Sequence, residues 1–138
     1  MKLVVDTNVL ISALVKKSTV RGLLLHPFFE FYVPEHCIEE IERHVVEISE
    51  KSGLSVENVY LLLGMLLSSV QVIPVERVVE KYREAKKIIG KIDRNDVPFI
   101  ALALSFPNDG VWTEDKHFLK QNRVKVWRTR DLLKLLRE

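Results

Sequence analysis

The residues of this chain best suited to chemistry are carboxylates far apart in sequence. Asp6 follows the apolar run Leu3-Val4-Val5, Glu40 and Glu42 lie in IEEIER, Asp93 and Asp96 in DRND, and Asp115 in VWTEDKHF. Each alone has an ordinary use: Asp6 and Asp96 can cap helices, and Glu40 can flank one in water. Carboxylates brought within a few ångströms of one another repel and raise each other's pKa, so a fold keeps such a cluster mainly where a cation sits among them. An all-oxygen donor set selects a hard divalent ion, Mg2+ or Mn2+, over zinc. His36, Cys37 and His44 share one stretch and find no second ligand pair elsewhere, so a zinc site is not expected.

For those acids to meet, the chain must carry them to one edge. Leu3 to Val5, Phe29 to Val33, Val70 to Val75, Gly110 to Thr113 and Val124 to Trp127 read as strands. The first is too uniformly apolar to alternate, which marks a strand covered on both faces. Helical spacing runs from Thr7 through Val9, Leu10, Ala13 and Leu14, then from Thr19 to Leu25 before His26-Pro27. Ile38, Ile41, Val45 and Ile48 form a single stripe ending near Ser52-Gly53, and LSVENVYLLLGMLLSSV follows as a helix apolar nearly all round. Glu76 to Ile89 predicts one amphipathic helix, and a further helix starts at Asp96, with Pro98 in its first turn. Lys116 to Gln121 predicts a helical turn and Thr129 to Leu136 a closing helix.

Strands alternating with helices imply an α/β fold with a parallel sheet covered on both faces, and such sheets bind ligands outside the carboxyl ends of their strands. Asp6 ends the first strand and Asp115 follows the fourth, so both point to that rim. Asp93 and Asp96 open a helix, where the helix dipole favours a carboxylate. Glu40 and Glu42 border the apolar stripe of their helix, and spacing alone leaves open which of them leans over the sheet edge.

Several function classes are excluded by the same residues. At 138 residues, with 47% hydrophobic and 29% charged, the chain is expected to form one domain over residues 1–138 with no disordered arm. A net charge of +2 is too slight to mark a nucleic-acid binder by bulk electrostatics. The lone Cys37 cannot form an internal disulfide, and the first residues lack the pattern of a signal peptide or membrane anchor, so a cytoplasmic protein is expected. No glycine-rich loop follows the first strand to cradle a dinucleotide or phosphate. A haloacid-dehalogenase-type phosphatase would carry a second aspartate where Asn8 stands.

Taken together, Asp-Thr-Asn after the first strand, IEEI after the second, DRNDVPFIALAL on the late helix and WTEDKHF after the fourth strand resemble the PIN domains over essentially the whole chain. The resemblance implies a three-layer α/β/α Rossmann-like sandwich with a central parallel sheet, and a metal-dependent nuclease cutting single-stranded or structured RNA. It implies Asp6, Glu40, Asp96 and Asp115 as the catalytic acids that hold Mg2+ or Mn2+, with Asp93 as an extra or water-mediated ligand. Glu40 is chosen over Glu42 because the family's acid directly precedes an apolar residue, here Ile41. Thr7, Asn8 and Thr113 match small polar residues that hydrogen-bond the carboxylates.

An acidic pocket repels RNA, so cations around it must supply attraction: Lys16, Lys17 and Arg21 after the first helix, and Lys116, Lys120 and Arg123 near the fourth acid. His117 could assist proton transfer, but its place beside Phe118 reads more readily as structural. The all-round apolar helix containing Leu61, Leu62, Leu63, Met65, Leu66 and Leu67 is too short to span a bilayer and points to a homodimer, as PIN domains commonly form. Two settings are expected for such a nuclease, the toxin of a toxin–antitoxin pair with an antitoxin partner, or an RNA-processing enzyme. The alternative is a catalytically weak RNA-binding or assembly module, against which the presence of all four acids argues.

Overall fold

The computed structural model describes residues 1–16 and 19–137. Five strands, β1 (Lys2–Val5), β2 (Glu30–Pro34), β3 (Val70–Ile73), β4 (Val111–Trp112) and β5 (Val126–Trp127), form one sheet in the order β3-β2-β1-β4-β5. Every pairing is parallel, with Leu3 opposite Phe31 and Val5 opposite Trp112. Helices α1 (Thr7–Val15), α2 (Thr19–Leu24), α3 (His36–Arg43), α4 (Val45–Ser52), α5 (Val56–Leu67), α6 (Tyr82–Ile89), α7 (Val97–Ser105) and α8 (Thr129–Arg137) complete the described α/β/α layers. α1 packs against α2, α3, α4 and α5, whereas α7 lies on β1, β2 and β4 and against α6.

Leu3, Val4 and Val5 are wholly buried, as a strand roofed by helices on both faces must be. Phe31, Trp112, Phe99 and Phe118 are the bulkiest buried side chains of the core, and the Phe31 and Trp112 rings lie 5.5 Å apart. Gly110 enters β4 at φ 128°, where a side chain would also strike the Lys125 carbonyl, so only glycine lets β4 meet β5 there.

Two segments depart from the expected helices. The stripe from Ile38 to Ile48 continues through a break: α3 ends at His44 (φ −108°, ψ 11°), whose N–H bonds to the Ile41 carbonyl at 3.0 Å, and α4 starts afresh. After Pro74 the run expected to be helical from Glu76 instead makes two 3-10 turns, Val75–Arg77 and Val79–Lys81, before α6 begins at Tyr82. The β-branched Val75, Val78 and Val79 disfavour a regular helix start, and the turns carry Val78 into the core. Pro74 also ends β3 at Ile73, short of the expected Val75.

On α5 the apolar residues divide. Val59, Leu63 and Leu66 are buried, while Leu61 and Met65 each remain 67% exposed and Tyr60 44% exposed. Ser55 caps the helix, accepting the Asn58 N–H at 3.1 Å. No helix among the described residues is long and apolar enough to cross a membrane.

Candidate metal centre

The sheet reverses its winding direction between β1 and β4: the chain runs from β1 outward to β2 and β3, then returns to β4 and β5 on the other side. Strand carboxyl ends part at such a switch point and leave a crevice there. Asp6, the residue after β1, holds this junction by donating its N–H to the Trp112 carbonyl at 3.1 Å. Its Oδ2 accepts the Thr113 hydroxyl at 2.8 Å, and the Thr113 oxygen in turn accepts the Asp115 N–H at 2.9 Å. One threonine therefore orients the acid of β1 and the turn that carries the acid after β4.

Asp6 occupies the N-cap position of α1 yet makes no side-chain capping bond there. Burial pushes its carboxyl up to about 6, the Thr113 hydroxyl and the nearby Asn8 backbone oppose this, and the charges of Asp115 and Glu40 add to the rise. Glu40 approaches from α3. Its Oε1 accepts the Thr7 hydroxyl at 3.1 Å and lies 3.3 Å from His36 Nε2. Glu42 is exposed, as is Asn8, whose side chain makes no hydrogen bond among the described residues.

On the other side of the crevice Asp93 caps the turn Arg94–Asp96, its Oδ1 accepting the Asn95 N–H at 2.9 Å. Asp96 follows at the entry to α7, with Pro98 in the first turn, and is 5% exposed. Its side chain makes no capping bond, and Asp96 Oδ2 is buried without any hydrogen-bond partner among the described residues. Burial, joined by the charges of Asp93, Asp6, Asp115 and Glu40, raises its carboxyl to about 8. Asp115 spends Oδ1 on the His117 N–H at 2.9 Å, whereas its neighbour Glu114 points outward, 3.5 Å from the Thr129 N–H.

His117 stands among these acids. Its Nδ1 is 3.2 Å from Asp93 Oδ2, 3.4 Å from Asp115 Oδ1 and 3.9 Å from Asp96 Oδ2. Asp93, Asp96, Asp115 and His117 each offer one ligand atom within 4.8 Å of the others. Three carboxylates and an imidazole gathered this closely would hold a hard divalent ion after drawing in slightly, and it would supply the positive charge the acids lack. A bare, buried carboxylate oxygen within that set is otherwise costly, by about 1–3 kcal/mol or more when charged. The donors thus suit a divalent cation, with Asp6 and Glu40 beside them.

His117, for which the sequence leaves a structural and a proton-transfer reading, faces the acids. Its signal in the sequence is faint: only the turn after Asp115 brings the ring back to Asp93, 24 residues away. Cys37 is buried, and burial pushes its thiol up to about 12, which leaves it no part in thiolate chemistry. His36 and His44 turn to Glu40 and Glu47, so no zinc set assembles from them among the described residues.

Of the surface cations expected to meet RNA, Arg21 donates to the Ala13 carbonyl at 3.1 and 2.7 Å and to the Lys16 carbonyl at 3.2 Å, closing the end of α1. Arg123 pairs with Glu84. Lys16, Lys116 and Lys120 are exposed, and Lys17 lies outside the described residues.

The family model described as PIN domain matches residues 4–137. No curated protein matches the chain.

Proposed function

The chain belongs to the PIN-domain family, whose members are generally metal-dependent nucleases, and on that premise we propose that it is an Mg2+- or Mn2+-dependent endoribonuclease acting as one domain over residues 1–138. The observation that carries this reading is the buried Asp96 Oδ2, which has no hydrogen-bond partner among the described residues, grouped with Asp93, Asp115 and His117. A carboxylate left in that state gains most from a divalent cation and least from any group of the chain itself.

In this reading Asp96, Asp6 and Asp115 hold the ion, with Asp93 and His117 completing its surroundings. When bound, the metal lowers the pKa of the attacking water and neutralises charge on the scissile phosphate. The chain's own residues supply order. Thr113 fixes the Asp6 carboxylate, and Thr7 and His36 fix Glu40 through Oε1, leaving Oε2 facing no donor among the described residues. Glu40 Oε2 is then placed to orient the attacking water and accept its proton.

Lys16, Lys17, Lys116 and Lys120 would attract the RNA backbone. The enzyme would work in the cytoplasm, either as a toxin restrained by an antitoxin or as an RNA-processing enzyme. Co-expression that relieves growth arrest by a neighbouring small gene product would favour the toxin. The exposed Tyr60, Leu61 and Met65 on α5 support a homodimer. Light scattering should give a dimer for the wild type and a monomer for Leu61→Glu.

The deciding experiment is cleavage of single-stranded RNA by purified protein. Mg2+ or Mn2+ should support it and a chelator should stop it. Full cleavage in excess chelator, with contaminating ribonuclease excluded, would overturn the mechanism.

A further inference from the structure

A second cleft opens where the acidic crevice ends. It has a volume of about 500 Å³ and runs between α6 and the start of α7, with Val97 and Pro98 as its floor, Tyr82 and His36 on one wall, and Lys86, Lys91 and Arg94 around the mouth. No carboxylate lines it among the described residues, although Glu35 lies near the outer side of the Tyr82 wall. Among the described residues none of these three cations has an ion-pair partner, and all three are exposed, whereas Val97 and Pro98 are buried. Arg21 is committed to backbone carbonyls, Arg123 to Glu84 and Lys51 to Glu47, whereas Lys87, Lys116 and Lys120 are also exposed without an ion-pair partner among the described residues, so what sets Lys86, Lys91 and Arg94 apart is that they line one cleft.

The cleft and the crevice share their boundary. Arg94 belongs to the turn that presents Asp93 and Asp96, and Val97 directly follows Asp96. On the opposite wall His36 contacts Glu40 at 3.3 Å. A strand whose phosphate lies over the carboxylates therefore meets, one step along, a concave surface that is cationic at its rim and apolar at its floor. Helix-dipole compensation explains part of this charge, since Lys86 and Lys87 both sit in the last turn of α6. It does not explain Lys91 or Arg94, which lie beyond that helix and ring the same cleft.

We infer that this cleft binds a nucleotide of the single-stranded substrate flanking the cleaved bond, with its base against the Tyr82 ring and Pro98 and its phosphates on Lys86, Lys91 and Arg94. The inference rests on the proposed ribonuclease reading and gives it a substrate subsite that the surface lysines expected from sequence do not include. Aromatic and apolar faces accept any base, and the cations read only backbone, so the subsite contributes affinity and register with little sequence preference.

The test is fluorescence anisotropy of a short labelled oligouridine titrated with full-length protein in chelator, repeated across salt concentrations, with Mn2+ affinity measured separately by calorimetry. Lys86→Glu/Lys91→Glu should weaken RNA binding at least tenfold and flatten the logarithmic salt dependence by roughly 1.4, at about 0.7 for each phosphate no longer neutralised. Lys86→Gln/Lys91→Gln, which leaves helix propensity intact, should move in the same direction by a smaller factor. Tyr82→Ala should cost about fivefold or more and Tyr82→Phe little, because the ring face is what stacks. Mn2+ affinity should stay unchanged throughout. Wild-type RNA binding with unaltered affinity and salt slope in both lysine pairs would overturn this subsite and leave the ribonuclease reading standing. A wild type that binds no RNA, with or without Mn2+, would overturn that reading and the subsite with it.

Discussion

Asp6 and Asp96 are buried carboxylates on the same rim of the sheet, but the fold treats them differently. Asp6 is held at a strand end, its backbone bonded to Trp112 and its Oδ2 to the Thr113 hydroxyl, and its carboxyl rises only to about 6. Asp96 begins a helix near four other acids, keeps one oxygen with no hydrogen-bond donor among the described residues, and rises to about 8. A scaffold that can place a hydroxyl against one acid and withholds any donor from the other is separating two tasks. The first acid is oriented by the protein; in the proposed reading the second is completed by the metal ion.

Removing the charge at each position gives the largest expected effects. Asp96→Asn and Asp6→Asn should each lower RNA cleavage by about a hundredfold or more, since both would remove a ligand from the proposed ion. Their stabilities should diverge. With no metal present Asp96→Asn should be more stable than wild type at pH 8, on the order of 1–3 kcal/mol, and no more stable at pH 4, where Asp96 is already protonated. Asp6→Asn, which weakens the Thr113 link, should show a smaller gain or none. Thermal melts at the two pH values decide, and an Asp96→Asn gain equal at pH 4 and pH 8 would count against a buried charge as its source.

The same contrast has a pH signature. Both folded pKa values, about 6 and about 8, stand above the unfolded value near 3.9. Between those limits the native state binds more protons than the unfolded chain, so apo stability from these groups is fully present below about pH 4 and falls as pH rises through 6 and then 8. Metal binding requires the deprotonated acids, so Mn2+ should protect least near pH 5 and most above pH 8. At a hundred times its Kd the ion adds about 2.7 kcal/mol. Melting curves with and without Mn2+ from pH 5 to pH 9 should therefore spread apart with rising pH, and parallel curves would remove the coupled acids from the metal site.

Much of this was legible in sequence because the signals were local. An apolar strand ending in a charge marks Asp6, and a proline inside DRNDVPF marks a helix start. What was not legible depends on distance or on a break that hydrophobic spacing cannot register. The stripe Ile38, Ile41, Val45, Ile48 keeps its period across His44, although the backbone opens there. Arg21 reads as a surface cation, and only the folded turn shows its guanidinium closing α1. Glu114 and Asp115 are equivalent in sequence until the Thr113 turn sends one outward and the other inward.

Weakening the oriented half of the site should cost less than removing an acid. Thr113→Val keeps shape and deletes the hydroxyl that serves both Asp6 Oδ2 and the Asp115 N–H. A stability loss of about 1–3 kcal/mol is expected from the two broken bonds, one of them buried and made to a carboxylate. Cleavage should fall about tenfold to a hundredfold, as for other residues that orient metal ligands, and Thr113→Ser should restore most of it. Failure of serine to rescue would assign the effect to packing and leave Asp6 oriented by its strand alone.

The smallest effect should appear at His117, and it sharpens the contrast from the other side. Its Nδ1 lies 3.2 to 3.9 Å from oxygens of Asp93, Asp115 and Asp96, close enough to serve as a fourth donor or simply as a hydrogen-bonding neighbour. These roles differ in which ion they favour. Imidazole suits Mn2+ better than Mg2+, which prefers carboxylate, phosphate and water oxygens. As a donor, His117 should give the wild type a preference for Mn2+ that His117→Ala reduces by a few-fold, with Mg2+ affinity nearly unchanged. As a neighbour that only hydrogen-bonds the acids, its loss should tighten both ions together, because a competing partner has gone. Calorimetric titration of each ion into wild type and His117→Ala separates the two: a fall in the ratio of Mn2+ to Mg2+ affinity supports ligation, and a parallel gain in both would make His117 a hydrogen-bond partner of acids that bind the ion without it.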